Sequence, residues 1–327
     1  MSVTVLKPGL LTTLQDRGRF GHAALGVGSS GAMDGVALRL ANALAGNDDG
    51  AAALEISLLG PRLRFDSDAA IALAGAEFAV RLDGRPIAMW QPLAVRAGSE
   101  LDLGAARPGA RGYLAVAGGF AVEPILDSRA SDVNAGLGPL GGRPLRAGDV
   151  LDLGRTRDGR DPGPPAKDRH PPWSLDPRPW FDADPARPIR LVRGKHFDAL
   201  DAVSRTTLFE ASFRIEADSN RVGFRLDGAR LALAGPLELV SEPAAFGTVQ
   251  LPPSGQPIVL MAEHPPTGGY PRIAQVAAID LPRLAQRRPG ERVRFREIGL
   301  DEAQTRYLAR EHALARLIDT IAARLAE

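Results

Sequence analysis

The chain has 327 residues, 40 basic against 39 acidic side chains, and no cysteine. Its length suggests about two domains, and 44% apolar with 24% charged residues is ordinary for a globular protein. The missing cysteine excludes disulfides, thiol nucleophiles, iron–sulfur clusters and Cys-ligated zinc; balanced charge leaves no footprint for nucleic acid, and no apolar run is long enough to cross a bilayer.

The N-terminus opens on an alternating segment, with no charged stretch followed by an apolar one. A signal peptide is therefore not expected, and a cytoplasmic location is. Asp34 is placed to cap a helix through Leu44, with Val36, Ala37, Leu40, Ala41 and Leu44 on one face and Gly46 as terminator. Phe78–Leu82, Asp83-Gly84 and Pro86–Trp90 read as a hairpin about a type I′ turn. Val222–Leu226, Asp227-Gly228 and Leu231–Leu233 promise a second one. Arg111–Val116, Ile189–Val192, Ile258–Met261 and Arg292–Phe295 are further strand candidates. The run Arg96-Ala97-Gly98-Ser99-Glu100-Leu101-Asp102-Leu103-Gly104 recurs as Arg146-Ala147-Gly148-Asp149-Val150-Leu151-Asp152-Leu153-Gly154, and more loosely as Arg288–Phe295. It marks either recurrent turn chemistry or two related β-units. Residues 156–187, rich in proline, read as a linker or crossover, with Trp173, Trp180 and Phe181 suggesting that part of it packs. Asp280-Leu281-Pro282 opens a short helix to about Gln286. A long helix follows, with Asp301 as N-cap and Gln304 completing a capping box. Its stripe of Ala303, Tyr307, Leu314, Ile318, Ile321 and Leu325 suits packing on the barrel behind it, or a partner protein. The expected division is 1–155, 156–187, 188–299 and 300–327.

None of Lys7, Lys167 and Lys195 lies in a P-loop, and Gly26–Gly31 fits GxGxxG in letters alone. The five histidines (His22, His170, His196, His264, His312) show no metal-ligand spacing. His170 and His312 read as solvated, whereas His22 and His264 sit in Gly/Thr-rich turns. Two stretches resemble site loops. In the first, Thr12 to His22 and then Gly26 to Asp34 lead into a capped helix, whose N-terminus favours anions. In the second, Gly247 to Pro257 and Glu263 to Arg272 flank a strand; Thr267-Gly268-Gly269-Tyr270 places a hydroxyl, bare N–H groups and a phenol near Arg272. That set suits a carboxylate, carbamate or phosphoryl group, or else forms a rigid turn.

The motifs Lys7–Arg19, Gly31–Asp34, Leu40–Asn47, Leu54–Ile56, Ser219–Leu226, Ser241-Glu242, Gly247–Pro252 and Thr267–Pro271 occur in fixed order. Together they resemble the biotin-dependent carboxyltransferase-like family that holds the 5-oxoprolinase C-subunits, KipA, and allophanate hydrolase subunit 2, from about residue 3 to 298. The resemblance implies a mainly β fold of two cyclophilin-like β-barrel subdomains with few short helices and a C-terminal helix. It implies two partner proteins, one KipI-like and one LamB/YcsF-like, with conversion of 5-oxoproline to glutamate driven by ATP with Mg. The chain departs from the family pattern in Glu263-His264-Pro265-Pro266, where an Asp-x-Gln-Thr-like run is expected, and in Ser128-Arg129-Ala130-Ser131-Asp132.

On that resemblance Arg221 and Arg272 are expected to bind anions as bidentate forks. Asn220 and Gln250 would orient the amide, Thr267, Gly268 and Gly269 would supply donors, Tyr270 would donate or cover, and Glu55 would serve as acid or base. No metal ligands are expected in the chain. The alternatives are a carboxyltransferase of the urea amidolyase type, with biotin carried on a partner, and a non-catalytic regulator that binds the KipI-like protein.

Overall fold

The computed structural model describes residues 1–156 and 173–326. Residues 157–172 of the expected linker, His170 among them, lie outside the described residues. Contacts divide the chain into one unit of Met1–Arg19, Asp34–Asp182 and Ala315–Glu327 and another of Phe20–Met33 and Ala183–Leu314.

The first unit comprises β1 (Ser2–Lys7), β2 (Leu11–Gln15), α1 (Gly35–Leu44), β3 (Ala53–Ser57), β4 (Arg62–Phe65), β5 (Ala69–Gly75), β6 (Phe78–Leu82), β7 (Arg85–Pro86), β8 (Pro92–Val95), β9 (Glu100–Ala106), β10 (Arg111–Val116) and β11 (Val150–Asp152). The strands form two antiparallel sheets, β11-β1-β4-β9-β6-β7 and β2-β3-β10-β5-β8. Val3, Leu63, Phe65 and Leu101 from one and Leu14, Leu54, Ile71 and Leu114 from the other share one core. Each such side chain contributes roughly 1.5–3 kcal/mol by leaving water. Helix α1 packs on β5 and β10, so the second sheet is covered on both faces, and β3 and β10 are buried at every residue. Asp34 Oδ1 caps α1 by accepting from the Ala37 N–H at 3.0 Å. The first hairpin forms, with a shorter second arm than expected: Leu82 opposes Arg85, Asp83 and Gly84 both take positive φ, and the strand ends at Pro86 instead of running to Trp90. Phe181 packs against this core, its ring 6.4 Å from that of Trp90.

The second unit is a closed barrel. Its elements are β12 (Ile189–Arg193), α2 (Ala202–Glu210), β13 (Ser212–Ile215), β14 (Gly223–Asp227), β15 (Glu242–Pro243), β16 (Thr248–Gln250), β17 (Ile258–Leu260), β18 (Thr267–Gly268), β19 (Arg272–Val276), α3 (Leu281–Ala285) and β20 (Arg292–Glu297). The strand order is β12-β19-β16-β17-β14-β13-β20, closed by a parallel pairing of β20 with β12. Phe213, Phe224, Val249, Val259, Ile273 and Phe295 fill it. β15 and β18 stand apart as a two-stranded ribbon.

Two local expectations fail. Residues Leu231–Leu233 form no hairpin with β14, because β13 and β17 already occupy its two edges; only an isolated bridge joins Leu233 to Leu200. The long helix, α4 (Leu300–Ala326), begins before Asp301, with the Ala303 N–H bonded to the Gly299 carbonyl, so Asp301 lies in the first turn and is not the cap. The short helix α3 does open after Asp280 and end before Gln286, as expected; the Asp280 carboxylate takes Arg190 Nε and Nη2 at 2.8 and 2.5 Å. Along α4, Ala303, Leu314 and Ile321 are buried, whereas Tyr307 and Leu325 are over a third exposed. The recurrent turn repeats its bonds three times: Ser99 to Arg96, Asp149 to Arg146 and Glu291 to Arg288, each around a glycine of positive φ.

Candidate functional site

Strand alternation decides what the barrel wall presents. Val249 and Leu251 point into the core, so Thr248 and Gln250 of β16 fall on the opposite face. On β19 the partners of Thr248 and Gln250 are Gln275 and Arg272, with a bulge between Val249 and Gln250. Thr248 Oγ1 donates to Gln275 Oε1 at 2.9 Å. The ribbon, in which Glu242 opposes Gly268 and Pro243 opposes Thr267, lies over Gln250 and bonds Arg272, whereas Thr248 and Gln275 meet the backbone of Ala245 and Phe246. Gly194, Lys195, Pro243, Thr248, Arg272 and Gln275 line a cavity of about 270 Å³ there.

A ring of charge borders that cavity. Arg272 pairs with Glu242 Oε2 through Nη2 and donates from Nη1 to the Pro243 carbonyl at 2.7 Å. Lys195 Nζ reaches Glu242 Oε1 at 2.5 Å. One carboxylate thus bridges two cations, one at each oxygen. The hydrogen bond from Lys195 and the charge of Arg272 hold the Glu242 carboxyl below its ordinary range. His196 Nδ1 accepts from the Arg272 N–H at 3.0 Å, which leaves the proton of the neutral ring on Nε2. Burial, helped by the Arg272 and Lys195 charges and opposed by Glu242, lowers the His196 pKa.

Of the residues expected from the sequence, Arg272 lines the cavity, Gln250, Thr267 and Gly268 lie beside it in the barrel wall and ribbon, and Gly269 and Tyr270 occupy the exposed turn between β18 and β19. Gln250 is 5% exposed, and its Nε2 has no hydrogen-bond partner among the described residues. A Cβ on residue 268 would stand 2.3 Å from that nitrogen, so the bare glycine is what lets the ribbon lie over the amide. Tyr270 is 46% exposed.

Arg221 takes a different part from the anion fork expected of it. It is buried, with Nε donating to Glu263 Oε1 at 2.6 Å and Nη2 to the Gly31 carbonyl at 2.7 Å. Its charge is matched within the fold, and it anchors the chain just before the ribbon strand Thr267–Gly268. Asn220 is exposed, and its Oδ1 accepts from the Val222 N–H in a local turn; neither residue lines the cavity. Glu55 lies in the first unit, 1% exposed. Its Oε2 accepts from Tyr113 O–H at 2.6 Å, and the Tyr113 oxygen accepts from the Asp34 N–H at 2.8 Å. Burial first, then the charges of Glu55 and Asp34, raise the Tyr113 pKa well above its usual value, so the phenol keeps its proton. The Thr12–Arg19 stretch is also structural: Asp16 accepts from Gly18 N–H, Ser128 Oγ and Arg129 N–H, and Arg19 Nη2 donates to the Ala130 carbonyl.

Lys195, His196 and Glu242 are site residues that the sequence did not single out. Glu242 stood only inside a two-residue motif, and no spacing joins it to Lys195, 47 positions away. What signal existed was Lys195 itself, one of three lysines in a chain that otherwise uses arginine.

Known proteins share this architecture. Residues 25–297 match the family described as carboxyltransferase domain, subdomain A and B. The chain is 38% identical to the 5-oxoprolinase C-subunit of Haemophilus influenzae over 89% of each chain. It is 37% identical to the 5-oxoprolinase C-subunit of Escherichia coli over 91% of this chain and 92% of that one. Among solved structures, the urea amidolyase of K. lactis superposes with a TM-score of 0.87 at 28% identity, over 98% of this chain but 20% of the larger one.

Proposed function

The chain belongs to the carboxyltransferase domain family, subdomain A and B, and from that premise we propose that it is the C-subunit of an ATP-dependent 5-oxoprolinase that opens 5-oxo-L-proline to L-glutamate. The observation that carries this reading is the likeness, over about nine tenths of both chains, to bacterial proteins of that name. The chain acts in a complex with a KipI-like protein and a LamB/YcsF-like protein in the cytoplasm; no helix among the described residues is long and apolar enough to cross a membrane. Residues 1–155 and 188–299 serve as its two working subdomains.

An unstrained lactam is a poor electrophile, so the reaction requires recognition of the substrate carboxylate and polarisation of the amide. Arg272 is assigned the carboxylate. Gln250 is assigned the amide oxygen, which its unpartnered Nε2 is equipped to meet. Thr267, Gly268 and Gly269 supply further donors, Tyr270 covers the opening, and Asn220 orients the loop that Arg221 anchors. Glu55, hydrogen-bonded to Tyr113, is the proposed acid or base of the first unit. A cavity of about 270 Å³ suits a small acid. With no P-loop in the chain, ATP and its Mg are assigned to a site shared with a partner.

The test is to co-purify the chain with both partners and measure 5-oxoproline-dependent ADP release. Arg272→Ala is expected to lower kcat/KM by about 100-fold or more, since a partly buried charged anchor commonly costs on the order of 3 kcal/mol. An unchanged rate removes Arg272 from its role. A second reading, carboxyl transfer with biotin on a partner, is favoured by the superposition on urea amidolyase; avidin-sensitive activity would select it.

A further inference from the structure

Three features of the cavity serve no purpose in a barrel wall alone. Lys195 and Arg272 both line it, and they are spaced to hold one carboxylate between them, as Glu242 shows by occupying that position with one oxygen on each cation. The ribbon that carries Glu242 is short: its strands pair at Glu242–Gly268 and Pro243–Thr267, with a further backbone bond from the Ala244 N–H to the Pro266 carbonyl, a minimal structure with little stability of its own. Beneath its other strand, Gln250 keeps a buried Nε2 with no partner among the described residues, directly under Gly268 and opposite Arg272 in the sheet. A buried amide nitrogen left unbonded is costly, and an incoming acceptor would relieve that cost.

We propose that Glu242 is a resident anion standing where a ligand carboxylate binds. A small acid with an amide carbonyl displaces Glu242 from Lys195 and Arg272, lifts the ribbon, and offers its carbonyl oxygen to Gln250 Nε2. Two cations facing one glutamate leave the cluster one positive charge in excess, with His196 neutral, so the exchange keeps the ligand charge matched. Ala244, Ala245 and Ala274 line other walls of the cavity and suit a compact apolar body; Gln250 lies outside this lining, under Gly268, and becomes reachable only when the ribbon lifts. The choice of 5-oxo-L-proline as probe rests on the 5-oxoprolinase reading; the latch itself rests on the geometry.

The experiment is calorimetric titration of 5-oxo-L-proline into the full chain and into the assembled complex, for wild type, Glu242→Gln and Lys195→Met, with thermal unfolding to verify that each variant is folded. Neutral 2-pyrrolidinone, which lacks the carboxylate, is the control probe. Glu242→Gln removes the competitor and is expected to tighten 5-oxoproline binding several-fold. Lys195→Met is expected to weaken it about tenfold, and 2-pyrrolidinone binding should follow neither change. The proposal is overturned if Glu242→Gln weakens binding as Lys195→Met does, if 2-pyrrolidinone responds equally, or if no sample binds the acid. Turnover by the complex with binding indifferent to both variants would remove the latch and leave the family reading standing. The expected binding pattern without turnover would do the reverse.

Discussion

A guanidinium 3% exposed and a carboxylate 1% exposed hold each other in place because either one alone would be an uncompensated charge in a low dielectric. Arg221→Met is therefore expected to destabilise the second unit by about 3–5 kcal/mol, since it strands Glu263. Replacing both by methionine should recover much of that loss. Chemical denaturation of the two variants checks this, and equal losses in the single and the double variant would show that Glu263 is not the cause. At this scale the sequence revealed residue types more readily than partners. Arg272 and Gln250 announced themselves by their setting, whereas Arg221 looked equally suited to a ligand because its partner is 42 positions away. Glu242 was hidden for the same reason: the cations that define its role come from other parts of the chain.

Helix ends show what a single element allows to be read. Asp34 was legible as a cap because a short polar residue precedes an apolar helical stripe, and its side chain does accept from Ala37 N–H. Asp301 offered the same signal, but the chain had already turned helical at Leu300, so its carboxylate lies in the first turn and meets only the helix dipole. Asp34→Ala should accordingly cost about 1 kcal/mol, and Asp301→Ala about half that or less. Thermal melts of the two variants side by side decide it; equal shifts would restore Asp301 as a cap. The two Asp-Gly turns teach the same lesson. Asp83-Gly84 closes a hairpin because its flanking strands have free edges for each other. Asp227-Gly228 does not, because both edges of β14 are taken by other strands of the barrel. Local turn chemistry is legible; competition for an edge is not.

Across the molecule, both units draw on separated stretches of chain, with Phe20–Met33 grouped with the barrel and Ala315–Glu327 with the sheets. The mainly β character followed from alternation and glycine turns, but such grouping depends on contacts that no local pattern encodes. The same long-range burial sets the pH response. His264 is buried and its pKa is lowered by that burial, despite a bond from its ring to the Pro265 carbonyl, and His196 is lowered as well. Unfolding returns both to about 6.5, so between the lowered folded values and that value the unfolded chain binds more protons. Stability then falls as pH drops below about 7. A second loss lies lower. At Asp280 burial acts to raise the pKa, but hydrogen bonds from Arg190 and the charges of Arg283 and Arg190 outweigh it and hold the carboxyl below its ordinary value. The stability it contributes is complete above about pH 4 and disappears as pH falls through the lower folded value. Melting temperatures at constant ionic strength should therefore decline from about pH 7 to 5 and decline again below about 4. His264→Gln should reduce the first decline, which His196 shares, and Asp280→Asn the second, which Glu242 shares, and a wild-type curve level from about pH 8 to 5 would show that neither histidine is held neutral by the fold.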